Sequence, residues 1–286
     1  MTCIYWLASY PKSGNTWFRA FLKNLRVDRD TPVNINELGD MAIASHRPTF
    51  DRFNGVSAVN LLPDEIDRLR PHIYRLEAQY YSGPLFKKVH DAYLSTAEGR
   101  PMFPPEVTAG VVYIIRNPFD VAVSYAHHLN CDVNHIITCM GDPAYALCGR
   151  EDRAYHQLRQ RLLSWSMHVL SWVDAPNMRL HVIRYEDMKH RPLDTLTKAT
   201  RFCGLPDNPE RVSRAIRFSA FGVLQAQENT HGFKEKSPKA TSFFREGLTG
   251  SWRELLGEDD VKTLIRDHRT VMQRFGYLTE NDKPVY

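Results

Sequence analysis

Apolar and polar positions alternate between two periods along the chain. Ile4 to Ser9 is a short unbroken apolar run, which predicts a buried parallel strand. From Asn15 onward, Trp17, Phe18, Phe21, Leu22 and Leu25 fall on one helical face, so the chain opens as strand, tight loop and helix. Residues 34–60 carry only weak helical signals. Residues 63–81 read as a helix with Pro63 in its first turn and Pro71 as a kink or split. After the Gly83-Pro84 break, LFKKVH predicts a second strand ending near His90. Residues 109–116 form the clearest strand, and a helix follows with Asn117 as cap and Pro118 in the first turn.

The second half is less regular. Residues 130–149 show no clear period, and 152–173 read as one long amphipathic helix with Leu162, Trp165, Val169 and Trp172 in the core. A strand is predicted over 179–188 and helices over 193–204, 208–218 and 259–275, with a polar loop over 226–251. Strands alternating with helices and long crossovers predict a three-layer, P-loop-like α/β fold with a central parallel sheet flanked by helices. No repeat or linker interrupts residues 1–286, which are expected to form a single domain.

Composition narrows the partners. The 286 residues are 43% hydrophobic and 24% charged, with a net charge of +4. That excess is too mild to indicate nucleic acid and suits a polyanionic small molecule. No apolar run has the length of a membrane span, and the first residues lack a basic leader and a cleavage site, so neither a membrane nor a secretory route is expected. Five cysteines without C-x-x-C spacing predict reduced thiols and a cytoplasmic protein.

The candidate chemistry begins at YPKSGNTW, residues 10–17. A strand-loop-helix unit aims backbone N–H groups at an anion, and Lys12 adds a point charge. The Walker pattern is not met, because Pro11 stands where glycines would and Gly14 follows the lysine. Taken alone, such a tetrapeptide is most often a plain turn. Three further segments change its meaning: YIIRNPFDVAVSY (within 112–124 and the next residue), RYEDM, and FFREGLTGSW (243–252). Together the four resemble, in order, the soluble sulfotransferases that use 3′-phosphoadenosine 5′-phosphosulfate.

The resemblance implies a role for each matched residue. Lys12, Ser13, Gly14, Asn15, Thr16 and Trp17 would form the 5′-phosphosulfate loop, with Lys12 stabilising the leaving oxygen. Arg116 and Ser124 would hold the 3′-phosphate, and the loop bearing Arg245, Glu246 and Gly247 would close over it. Trp17, Tyr185 and Phe221 would contact the adenine, with Ser219 as a polar partner. His90 would be the base and Lys88 its flanking lysine. No metal is implied, and the acceptor would be the hydroxyl of a small organic molecule. The WLASYPK lead-in looks most like bacterial members that decorate natural products.

Some positions depart from the family pattern. Asn15 and Val89 stand where threonine is common, Glu246 where a basic residue is frequent, and Ser251 where aspartate is frequent. The late dimerisation signature of many animal members does not follow Trp252, which leaves monomer and homodimer both open. Two other classes stand beside this one. A P-loop small-molecule kinase needs glycines before Lys12 and a magnesium-holding aspartate after a strand. A nucleotide-binding scaffold without turnover would not need both Lys12 and His90. His127, His128, Cys131, His135, Cys139 and Cys148 fit no common zinc spacing and are read as part of an acceptor-side lid. Phe50, Phe53, Tyr93 and Phe103 are candidates for the acceptor pocket.

Overall fold

The computed structural model describes residues 3–150 and 155–285. In chain order the elements are β1 (Ile4–Ala8), α1 (Asn15–Val27), α2 (Arg47–Asn54), α3 (Pro63–Tyr80), β2 (Leu85–Val89), β3 (Thr108–Ile115), α4 (Pro118–Leu129), α5 (Val133–Gly141), β4 (Ala146–Leu147), β5 (Gln160–Arg161), α6 (Trp165–Val173), β6 (Leu180–Arg184), α7 (Tyr185–His190), α8 (Pro192–Phe202), α9 (Pro209–Phe218), α10 (Phe221–His231), α11 (Trp252–Leu255) and α12 (Glu258–Arg274). The architecture is α/β, as expected. A four-stranded central sheet in the order β2-β1-β3-β6 is flanked by helices. β1 runs parallel to both neighbours, with Ala8 opposite Val89 on one side and Tyr113 on the other. Ile4, Trp6, Leu7 and Ala8 have no exposed surface, which is why β1 reads as a continuous apolar run rather than an alternating one.

The chain divides into two compact units. One comprises Met1–Tyr10, Asp40–Tyr113 and Asp142–Val182; the other comprises Pro11–Gly39, Ile114–Gly141 and Ile183–Tyr286. In the first unit, Trp6 packs edge-on against Tyr74 and Phe103 at 5.0 and 4.9 Å, and Trp172 lies against Phe103 at 5.1 Å. α3 stays continuous through Pro71. The residues around that proline are pinned from outside: buried Arg70 donates to both oxygens of Asp91 at 2.8 Å and to Tyr74 at 3.0 Å. In the second unit α1 packs on α9, and α5 packs on α4 and α12. A cluster of Ala20, Ile35, Leu224, Phe233 and Phe244 forms part of its core.

Four sequence expectations change. The helix over 152–173 is confined to α6; residues 152–154 lie outside the described residues. Leu163 has φ +62°, which a helix interior does not tolerate, and Ser164 caps α6 by accepting from Met167 N–H. Upstream, Leu158 N–H donates to the Ser45 carbonyl at 2.7 Å, and β5 pairs with β4. The apolar residues of that stretch are buried, but by strand-like contacts rather than a helical face.

Residues 130–149, read as aperiodic, contain α5, whose Ile136, Ile137 and Met140 are buried. The strand over 179–188 stops at Arg184 and turns into α7. The loop over 226–251 begins inside α10, a helix that buries only Leu224 and Glu228 and so has almost no apolar face to detect.

Candidate functional site

The loop after β1 lies in the second unit from Pro11 onward. It is tight: Lys12 has φ +66° and Gly14 φ +100°. A Cβ on Gly14 would lie 2.6 Å from Tyr185 Cδ2, so conformation and packing both require glycine there. Gly14 is the N-cap of α1 and brings no capping side chain, and no acid sits in the first turn. A helix end without a capping side chain is the kind of place where backbone amides meet an anion. Ser13 is 1% exposed, and its Oγ has no hydrogen-bond partner among the described residues. An anion with several acceptor oxygens fits this cradle.

Arg116 does not present a free fork. Its Nη1 donates to the Lys12 carbonyl at 3.0 Å and its Nη2 to the Leu248 carbonyl at 3.1 Å, while the guanidinium covers the Tyr185 ring at 4.3 Å. It therefore ties the 10–17 loop to the 243–252 loop. Its buried Nε has no partner among the described residues. Trp17 meets Tyr185 edge-on at 5.6 Å, so two of the three expected adenine contacts touch each other.

The third, Phe221, packs under Gly247, where a Cβ would come within 2.3 Å of the ring and where φ is +61°. Ser124 is half-buried on α4. Ser219 is fully buried, and its hydroxyl donates to the Ala215 carbonyl at 2.8 Å, so it is spent on its own helix. Thr16 and Asn15 are buried in the first turn of α1. Arg245 pairs with Glu246 at 3.1 Å and donates to His127 Nε2 at 3.0 Å.

Several residues that build this site carry no local sequence signal. Glu228 accepts from the amides of Phe243 and Phe244 at 2.7 and 2.8 Å, and Gln225 donates to the carbonyls of Phe244 and Arg245 at 2.8 and 3.0 Å. The polar face of α10 is thus the spine of the late loop. Asp120, in the first turn of α4, accepts from Gly250 N–H at 2.9 Å and anchors the other end. Phe243 lies under the Lys12 ammonium, 4.1 Å from its ring centroid. Lys189 lies 5.7 Å from the Phe221 centroid, and burial and then the charge of Arg116 lower its pKa. Glu186 is fully buried, accepts from Asn117 N–H and the Tyr277 hydroxyl at 3.0 Å each, and burial raises its pKa.

The first unit holds Lys88 and His90. Lys87 on β2 is buried and paired with Glu77 at 2.5 Å, while Lys88 and His90 are half-buried. His90 Nδ1 donates to the Ser9 carbonyl at 2.7 Å. A carbonyl only accepts, so this bond puts the hydrogen on Nδ1 and makes Nε2 the basic nitrogen.

Behind His90 stands His168, fully buried on α6. Its Nε2 donates to the His90 carbonyl at 3.1 Å, and its Nδ1 accepts from the Tyr113 hydroxyl at 2.8 Å. Burial lowers its pKa to about 3. The unfolded imidazole, near its ordinary value, takes up a proton that the folded one refuses. His168 therefore contributes stability that is complete above about pH 6.5 and is lost as pH falls toward 3. At pH 5 the loss from this group is about 2 kcal/mol. Denaturant unfolding between pH 7 and 5 should show that slope, and His168→Gln should flatten it. An unchanged slope would mean that His168 is not buried neutral.

The expected acceptor aromatics separate. Phe103 and Phe50 are 0% and 2% exposed and belong to the core, the latter with Ile66, Ile73 and Leu158. This corrects their assignment to a pocket. Tyr93 and Phe53 are half-buried. A cavity of about 510 Å³ in this unit is lined by Asp67, Asp91, Leu94, Met102, Arg159 and Arg161 among others, but not by Lys88 or His90. The histidine and cysteine set is dispersed. His127 contacts Arg245, His128 meets Phe243 edge-on at 6.0 Å, and His135 lies 3.8 Å from Cys139 along α5. Among the described residues no group of three or more His, Cys, Asp or Glu is placed to hold a metal. Nor, among them, is any helix long and apolar enough to cross a membrane.

A parallel α/β sheet whose first strand runs through a tight loop into a helix has the P-loop-like architecture. More narrowly, residues 5–276 match the family described as the sulfotransferase domain, and the chain belongs to that family. Sulfotransferase 6B1 of Pan troglodytes is 30% identical over 265 residues, 88% of this chain and 70% of that protein. The match to sulfotransferase 6B1 of Danio rerio, at 26% identity, spans 54% of this chain and 49% of that protein, about half its length. The crystal structure of retinol dehydratase in a complex with retinol and PAP shares the fold, with a TM-score of 0.60 at 18% identity over 94% of this chain and 81% of that one.

Proposed function

We propose that this sulfotransferase moves a sulfuryl group from 3′-phosphoadenosine 5′-phosphosulfate to the hydroxyl of a small organic acceptor. The observation that carries the reading is the assembly, within one compact unit, of loop residues 11–17, Arg116, Ser124, Tyr185 and the 243–252 loop. This set supports the reading because a donor phosphorylated at both 3′ and 5′ needs two groups of anion ligands. The complex of retinol dehydratase with retinol and PAP supports the same pairing of nucleotide and alcohol.

In the reaction the acceptor oxygen bonds to sulfur as the bond from sulfur to the bridging oxygen breaks. Catalysis of such in-line displacement is mainly positioning and charge stabilisation. Lys12 and the amides at the start of α1 neutralise charge on the leaving group, and Ser13 and Thr16 hold the 5′-phosphate. His90 Nε2 receives the acceptor's proton, with Lys88 beside it as a second cation. The scheme needs no metal, because Lys12 and the loop amides supply the charge that magnesium supplies to a triphosphate. We further infer one catalytic domain, a monomer or homodimer in the cytoplasm, and an acceptor of the natural-product kind, which the WLASYPK lead-in supports.

Adenosine 3′,5′-bisphosphate should bind without metal at least about tenfold more tightly than ATP, because a hydrogen bond to a charged group contributes roughly 1.5–3 kcal/mol. Calorimetric titration with and without magnesium checks this. Equal affinity, or a strict need for magnesium, removes the donor assignment.

A further inference from the structure

Both terminal nitrogens of Arg245 are engaged within the second unit. Nη2 pairs with Glu246 Oε2 at 3.1 Å, and Nη1 donates to His127 Nε2 at 3.0 Å. A guanidinium has no lone pair to offer, so Nε2 is the acceptor and the imidazole is neutral, with its hydrogen on Nδ1. Burial and the charge of Arg245 favour that neutral form, and Glu246 opposes it. His127 follows Ser124 by three residues in α4, so the two share one helix face. The loop opposite is fixed in place, since Gln225 holds the Arg245 carbonyl at 3.0 Å and Gly247 lies against Phe221.

We propose that His127 is a further ligand of the donor's 3′-phosphate, and that Glu246 is a built-in competitor that occupies Arg245 until this phosphate displaces it. The proposal rests on the donor reading above. A phosphate dianion attracts the planar fork of Arg245 more strongly than one half-exposed carboxylate does. Once Arg245 turns to the phosphate, His127 Nε2 no longer accepts from it. As the Nε2–H tautomer or the imidazolium, it then donates to a phosphate oxygen. Ser124, His127 and Arg245 close three sides of the site. Glu246 makes recognition of the 3′-phosphate weaker than the same site would give without it.

Titration calorimetry with adenosine 3′,5′-bisphosphate and with adenosine 5′-monophosphate separates the outcomes, because only the first ligand has a 3′-phosphate. Wild type should prefer the bisphosphate. His127→Ala should reduce that preference by about tenfold and leave monophosphate affinity unchanged. Glu246→Gln should raise the preference by roughly two- to fivefold. His127→Lys should restore what alanine removes.

If wild type shows no preference, the donor reading itself fails. If the preference exists but is the same in His127→Ala, or if both affinities fall together, His127 is not a phosphate ligand and the proposal is overturned. Should His127→Ala not fold, Glu246→Gln decides, and an unchanged preference there overturns the competitor role.

Discussion

Lys12→Met is expected to lower turnover by roughly 10²–10³-fold, the usual scale for removing one preorganised group that stabilises developing charge. Binding of adenosine 3′,5′-bisphosphate should weaken far less. The charge on the bridging oxygen grows as the bond to sulfur breaks, so a cation at that point acts mainly on the transition state. The structure makes the substitution a clean test. Arg116 reads the Lys12 carbonyl rather than its side chain, so the clamp between the two loops does not depend on the ammonium. Methionine keeps an unbranched stem of similar length to lie against Phe243, and it meets the same backbone strain at φ +66°. Turnover should be measured beside bisphosphate affinity and thermal unfolding. Wild-type turnover in a folded variant would show that the loop does not grip the leaving group.

His90→Asn is expected to reduce turnover by roughly 10²–10⁴-fold, as for other losses of general-base assistance. Asparagine is the informative replacement. Its side-chain amide can still donate to the Ser9 carbonyl, as His90 Nδ1 does at 2.7 Å, but it has no counterpart of the basic Nε2. The backbone carbonyl of residue 90 also remains for His168. Donor binding should therefore persist while proton removal fails. The loss should be smaller for an acidic phenol than for an aliphatic alcohol, because a phenol yields its proton with less help. Paired rates on both acceptor types check this. Near wild-type turnover on the alcohol would leave the base unassigned.

Where one stretch of chain satisfies its own hydrogen bonds and buries one face, its structure was legible. β1, the loop at Lys12, α1, β3, the Asn117 cap and α4 all follow from period, punctuation and capping within a few residues. The same local order carried the family resemblance, since three of the four motifs sit at the end of a strand or in the loop that follows. Residues 155–163 misled because burying Leu158 and Leu162 does not require a helix; pairing with Ser45 and with β4 buries them as well. α10 was missed for the opposite reason. Its polar residues are not a solvated face but partners for backbone groups of residues 243–245, and no periodicity reports such a use.

The order of the motifs, the α/β class and the strand-loop-helix turn at Lys12 were determined by the sequence alone, because each depends on neighbours along the chain. Only the tertiary structure decided that Arg116 spends its fork on the carbonyls of Lys12 and Leu248, that Phe50 and Phe103 are core, and that Glu246 and His127 flank Arg245. Arg116 and Leu248 are 132 positions apart, and a hydrogen bond at that separation leaves no trace in local pattern. Its donor and acceptor are brought together by the packing of everything between them.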